Sequence, residues 1–184
     1  TLTKMLVEAS DNLLETLDNL NEVLAMNSNV SLKKTSLNLN HNLNKIKQNL
    51  AVFLKDKNVK IINNIPDHTN IQAIPAYAES ILMNFITNAV KYKSPDRDPV
   101  IKLGVTQKSG YTILSIEDNG MGIDLKKYGE KLFGLYKTFH DNPDAKGIGL
   151  YMSKNQIEAM NGKITVTSKV GIGSTFNIYF NEKN

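Results

Sequence analysis

The chain has 184 residues, 41% of them hydrophobic, with 22 basic against 18 acidic side chains, a formal charge of +4 and no cysteine. That length suits one ordinary domain plus a short accessory element. The missing thiols exclude a disulfide scaffold and a thiolate zinc site and fit a reducing, cytoplasmic setting. No apolar run reaches the length of a transmembrane helix, and no signal segment opens the chain. The lysines lack the interleaved aromatics of single-strand binders, so neither membrane contact nor nucleic acid is expected. A start at Thr1, with no initiator Met, reads as a piece of something longer.

Leu2, Leu6, Ala9, Leu13, Leu17, Leu20 and Leu24 recur at spacings of three and four, which predicts an amphipathic helix with one apolar stripe. The stripe is too narrow to make a core alone and calls for a partner helix, in this domain or in another chain. Cap-forming residues in "NSNVSLKKTSLN" break the pattern, which sets the expected division at 1–29 and 30–184. A second helix is expected from Asn38 to about Lys57, a strand at "VKIINNI", a turn at Pro66-Asp67 and a short strand at "IQAI". Pro75 suits the first position of a helix running to Tyr92. "SPDRDP" reads as a loop. "VIKLGVTQ" and "YTILSIED" read as a hairpin, followed by a short helix near "YGEKLFGLY" and a loop "KTFHDNPDAKG". A helix "IGLYMSKNQIEAM", stopped by Asn161-Gly162, and a closing hairpin "KITVTSKVGIGSTFNIYF" complete the order. Helices interspersed with hairpins point to an α+β fold, a two-layer sandwich in which helices cover one face of a mixed sheet, with an N-terminal amphipathic helix attached.

In "AESILMNFITNAVKYK", the apolar residues Ile81, Leu82, Phe85, Ile86 and Ala89 define a buried face. Asn84, Asn88 and Lys91 fall at i, i+4 and i+7, within about 60° of one another on a helix. An exposed polar face would explain a lone Asn. An aligned Asn, Asn and Lys, followed by Tyr92, instead suits amide oxygens offered to Mg²⁺ and a cation offered to phosphate. "SIEDNGMGID" sets Asp118 at the end of a strand, with Gly120 and Gly122 close behind. Either this is an ordinary turn, or the carboxylate must be reached by something flat and polar.

"NFITNAVKYKSP", "EDNGMGI", "KLFGLY", "KGIGL" and "VGIGSTF", in that order, resemble the N, G1, F and G2 boxes and the closing Gly-rich hairpin of the sensor histidine kinase ATP-binding domain. That domain belongs to the wider family shared with DNA gyrase, Hsp90 and MutL. The resemblance covers residues 30–184, and more loosely assigns 1–29 to the second helix of a dimerisation and phosphotransfer hairpin. It implies ATP and Mg²⁺ as ligands, with Asn88 on the metal and Asn84 and Lys91 on the phosphates. Tyr92 would lie against the nucleotide, and Asp118 would accept the adenine amine. Gly120 and Gly122 would let backbone approach the base, with Ile123 beside them. Gly147, Gly149 and Leu150 would sit where a lid meets a helix N-terminus, a ready phosphate site. Lys137 and Lys146 fall in that lid, and Thr175 would lie near the adenine, though strand propensity explains it nearly as well. The family's G2 box commonly opens with a further glycine, where this chain has Ala145.

The gyrase, Hsp90 and MutL branch carries a glutamate at the position of Asn84, to activate water. A carboxamide cannot act as a general base, which favours a kinase. An anti-sigma-factor-type Ser kinase and a degenerate nucleotide-binding scaffold remain alternatives. The amphipathic N-terminal helix argues against the first, and the presence of Asn88 and Asp118 against the second. None of the three histidines, His41, His68 and His140, stands in an acceptor motif, so the phosphate-accepting His is expected upstream of Thr1. The resemblance also implies relay to an aspartate on a response-regulator receiver domain, and a homodimer formed through the N-terminal helix of the parent.

Overall fold

A computed structural model of the chain describes residues 33–134 and 148–182, together with Thr3 and Ser10. The chain divides into two compact units, Thr1–Leu32 and Lys33–Asn184. In the first, Thr3 and Ser10 are helical, and the expected stripe from Leu2 to Leu24 lies outside the described residues.

The second unit runs β1 (Thr35–Asn38), α1 (Leu39–Asn49), α2 (Ala51–Asp56), β2 (Lys60–Asn64), β3 (Asn70–Ala73) and α3 (Pro75–Lys91). It continues with β4 (Val100–Lys108), β5 (Tyr111–Asp118), α4 (Leu125–Tyr128), a 3-10 turn at Gly129–Lys131, α5 (Gly149–Ala159), β6 (Lys163–Lys169) and β7 (Gly173–Asn181). Five strands form one sheet in the order β2-β4-β5-β7-β6, parallel between β2 and β4 and antiparallel elsewhere. This is the mixed sheet the sequence predicts. A separate antiparallel ribbon pairs β1 with β3, Thr35 opposite Ala73.

The core lies on one side of the sheet. Ile101, Leu103, Leu114, Ile116, Phe176, Ile178 and Phe180 point from the strands into the same cluster as Leu39, Leu43 and Ile46 of α1, Ile81, Leu82, Phe85 and Ile86 of α3, and Ile157 of α5. Burying each such side chain contributes about 1.5–3 kcal/mol. On the other side Lys102, Thr165 and Thr167 face solvent, the alternation of a strand with one dry face. Phe85 of α3 meets Phe176 of β7 with ring centroids 4.9 Å apart, fixing α3 over the centre of the sheet.

Three local expectations need correction. "TSLN" is a strand, because it pairs with β3, and Asn38 at its end also caps α1, its Oδ1 accepting from His41 N at 2.9 Å. The helix expected from Asn38 to Lys57 is two helices that change direction at Leu50 (φ −95°, ψ 7°), with no Gly or Pro to announce the break. The short helix starts at Leu125, earlier than "YGEKLFGLY", because Asp124 accepts from Lys126 N and Lys127 N.

Candidate nucleotide site

Pro75 at the first helical position starts α3, and its apolar residues then fix the rotation about the helix axis. That rotation turns Asn84 toward α5, with Asn88 one turn further along α3. Asn84 Nδ2 donates to Ser153 Oγ at 2.7 Å, and Asn88 Nδ2 donates to Asn84 Oδ1 at 2.9 Å. Both ends of the Asn84 amide are therefore engaged inside the protein, where it brackets two helices. The Asn88 amide is oriented by that bond, with its nitrogen turned back along α3 and its oxygen to the other side. A Cβ on Gly149, the first residue of α5, would collide with Asn84 Oδ1, so glycine is what lets the helix start this close. Lys91 ends α3, and Tyr92 follows as its C-cap, with N bonded to Asn88 O at 2.9 Å. Burial pushes the Tyr92 hydroxyl above its ordinary pKa.

The Tyr92 carbonyl then accepts from Met121 N at 2.9 Å, which ties the end of α3 to the loop that follows β5. At the start of that loop, Asp118 Oδ1 accepts from Gly120 N at 2.8 Å and Ser174 N at 3.3 Å. Burial raises the Asp118 pKa. The two backbone donors and nearby Arg97 oppose that rise, while Glu117 adds to it. Both of these bonds fall on Oδ1. A half-buried carboxylate with one oxygen held by backbone can recognise a single donor through the other.

The glycines around Asp118 answer to protein contacts. A Cβ on Gly120 would stand 2.5 Å from the Tyr92 carbonyl. Gly122 has φ +69°, and its Cβ would run into the Lys169 carbonyl; a Cβ on Gly173 would strike the Asp118 carbonyl. The loop thus lies flat on the β6–β7 turn. Met121 O accepts from Gly171 N at 2.7 Å, and Ile123 N donates to Ser168 Oγ at 2.7 Å. Ile123 and Leu150 also pack against the core.

Asn84, Asn88, Lys91, Tyr92, Asp118, Gly120, Gly122 and Gly149 are thus gathered around the end of α3, the β5 loop and the start of α5. Thr175 is not among them. In register it faces Glu117 and Thr167, and it alternates with the core residues Ser174 and Phe176, so it points to the opposite sheet face. Ser174, opposite Asp118, is the β7 residue whose N–H reaches the carboxylate. Lys137, Lys146, Gly147 and Ala145, like His140, lie outside the described residues. Sequence reading also passed over Ser153, Ser168 and Arg97. Register counting back from Phe176 would have found Ser174, but nothing local marks the others as parts of a site.

The histidine kinase-, DNA gyrase B- and HSP90-like ATPase family model matches residues 74–184, and the chain belongs to that family. Within it, the fold is that of the ATP-binding catalytic domain of a sensor histidine kinase. Sensor protein RprX of Bacteroides fragilis is 30% identical over 151 residues, 79% of this chain and 29% of the relative. Sensor protein BceS of Halalkalibacterium halodurans is 37% identical over 119 residues, 63% of this chain and 34% of the relative. The chain therefore spans about a third or less of these curated relatives. Among solved structures, the Acinetobacter baumannii histidine kinase AdeS superposes with a TM-score of 0.80 at 21% identity, covering 100% of this chain and 85% of that one. ShkA, solved full-length in complex with AMPPNP, gives 0.76 at 21% identity, covering 94% of this chain and 36% of that one. At that identity the two structures speak to fold alone. Among the described residues no helix is long and apolar enough to cross a membrane.

Proposed function

We propose that the chain binds Mg-ATP and supplies the γ-phosphoryl group to a histidine in its parent protein, for relay to an aspartate of a response-regulator receiver domain. The observation that carries this reading is the Asp118 carboxylate, half-buried at the end of β5 with Oδ1 held by Gly120 N and Ser174 N; its Oδ2 would accept from a purine amine. Adenine donates there, whereas guanine presents a carbonyl oxygen to the same carboxylate, so the site selects ATP over GTP. Asn88 fits magnesium, which takes hard oxygen donors, few of them from protein. Its amide oxygen is neutral and set in direction by Asn84. Lys91, and Lys137 and Lys146 of the lid, would neutralise the phosphates, with Gly147 and Gly149 letting backbone come near them. When bound, the ion would screen phosphate charge, and the protein's share would be positioning and electrostatic complementarity. Residues 1–29 would serve as the second helix of a dimerisation hairpin, and the module would work in the cytoplasm.

Calorimetry of the 184-residue chain tests the reading. Micromolar ATP binding that weakens sharply on metal removal, with GTP not bound, is the expected result. Equal affinity for ATP and GTP, or indifference to metal, would count against it.

A further inference from the structure

Arg97 is the chain's only arginine; every other basic side chain except histidine is lysine. It sits in "SPDRDP", the connection between α3 and β4, two residues beyond the end of "NFITNAVKYKSP". Its guanidinium donates to four backbone carbonyls on two separate segments. Nε reaches Asn119 O at 2.7 Å, and the Nη2 group reaches Gly120 O at 2.9 Å, Gly171 O at 2.8 Å and Ile172 O at 3.1 Å. The three N–H groups of Nε and Nη2 are spread along a planar fork, one of them shared between two carbonyls, whereas an ammonium offers its three donors from one point.

The placement bears directly on Asp118. The Gly120 peptide N–H donates to Asp118 Oδ1, and the next carbonyl along, Gly120 O, is held by Arg97. Asn119 is fastened on its other side: its Oδ1 accepts from Val100 N at 2.8 Å and its Nδ2 donates to Asp98 O at 3.0 Å. The second oxygen pair belongs to the turn that leads to Ser174, the other donor to Asp118. Both backbone donors to the carboxylate are therefore carried on segments joined by one side chain. Without that charge, two pairs of carbonyl dipoles would face one another beside a carboxylate.

We propose that Arg97 is a positioning residue for base recognition, clamping the Asn119–Gly120 loop to the Gly171–Ile172 turn so that Asp118 is held in register with the purine amine. This rests on the adenine role of Asp118. It requires a division of labour in which Arg97 governs the base half of the site, while the end of α3 and the start of α5 govern the phosphate half.

The test titrates wild type, Arg97→Gln, Arg97→Lys and Asp118→Ala with Mg-ATP and with Mg-tripolyphosphate, which has the phosphates and no base. The expected result is a loss of ATP affinity of about tenfold in Arg97→Gln, the size of one hydrogen bond to a charged group, and a smaller loss in Arg97→Lys. Tripolyphosphate affinity should stay unchanged in both. A parallel fall for both ligands would make Arg97 a general structural prop and overturn the proposal, as would unchanged ATP affinity in Arg97→Gln. Arg97→Lys keeps the charge and guards against a variant that fails to fold. Asp118→Ala separates the two readings. Unaltered ATP binding there overturns the adenine role and the proposal together, whereas loss there with none in Arg97→Gln overturns the proposal alone.

Discussion

In the proposed role Asp118 must be ionised when it binds adenine, yet it is placed where burial disfavours the charge. Its folded pKa is raised above the ordinary carboxylate value, so the folded state holds its proton to higher pH than the unfolded chain does. Between those two pKa values the native state binds more protons, and stability falls as pH rises through that window. Nucleotide affinity should run the other way, because a protonated Asp118 is a poorer acceptor for the adenine amine. Acidifying from neutrality into the window just above the ordinary carboxylate range should therefore stabilise the free protein and weaken ATP binding together. Asp118→Asn keeps the shape, removes the charge and should remove the Asp118 contribution to both slopes. At pH 7 it should match or exceed wild type in melting temperature while losing about 10- to 100-fold in ATP affinity, the range for a hydrogen bond to a charged group. Paired thermal melts and calorimetry across pH would check this, and parallel slopes would contradict it.

At the scale of elements, the site depends on how closely α3 and α5 approach, and a short polar ladder sets that distance. Ser80 Oγ accepts from Gln156 Nε2 at 3.0 Å, Asn84 bonds Ser153 one turn further along, and Gly149 closes the row against Asn84. Ser153 is fully buried. Ser153→Ala should cost about 1 kcal/mol of stability, the net worth of one such bond plus an unpaired donor. It should also free Asn84 to rotate, which loosens the hold on Asn88. Weaker metal-dependent ATP binding, with little change in metal-independent binding, is the expected signature. A double-mutant cycle with Asn84→Ala should show the two changes to be non-additive. This ladder also marks the limit of sequence reading. The face of α3 was legible because Ile81, Leu82, Phe85 and Ile86 fix it by periodicity alone, and Asp118 was legible because a carboxylate ending a strand before two glycines is unusual. The long-range partners were not. Ser153 lies far from Asn84 in sequence, and the arginine clamp joins segments brought together only when β7 pairs with β5. Thr175 and Ser174 show how much one residue matters in a strand, where period two sends neighbouring side chains to opposite faces.

At the scale of the whole unit, the site is assembled from the end of α3, the β5 loop, the start of α5 and the β6–β7 turn, segments spread over the chain from Asn84 to Ser174. A ligand that touches several of them binds only the folded arrangement, so its binding free energy adds to stability by linkage. At free nucleotide about 100-fold above its dissociation constant, the gain is about 2.7 kcal/mol. For a domain of this size, each kcal/mol moves the melting temperature by about 2–4 °C. Saturating Mg-ATP should therefore raise the melting temperature of the 184-residue chain by about 5–10 °C. If magnesium joins Asn88 to the phosphates, a chelator should remove most of that shift while leaving the melt of the nucleotide-free protein unchanged. GTP with magnesium should give a small shift or none, because its base puts an oxygen against Asp118. Thermal scans under those conditions separate the contributions of base and metal. A shift from ATP that survives the chelator in full would show that the phosphates are held by side chains alone, and Asn88 would then have no metal to serve.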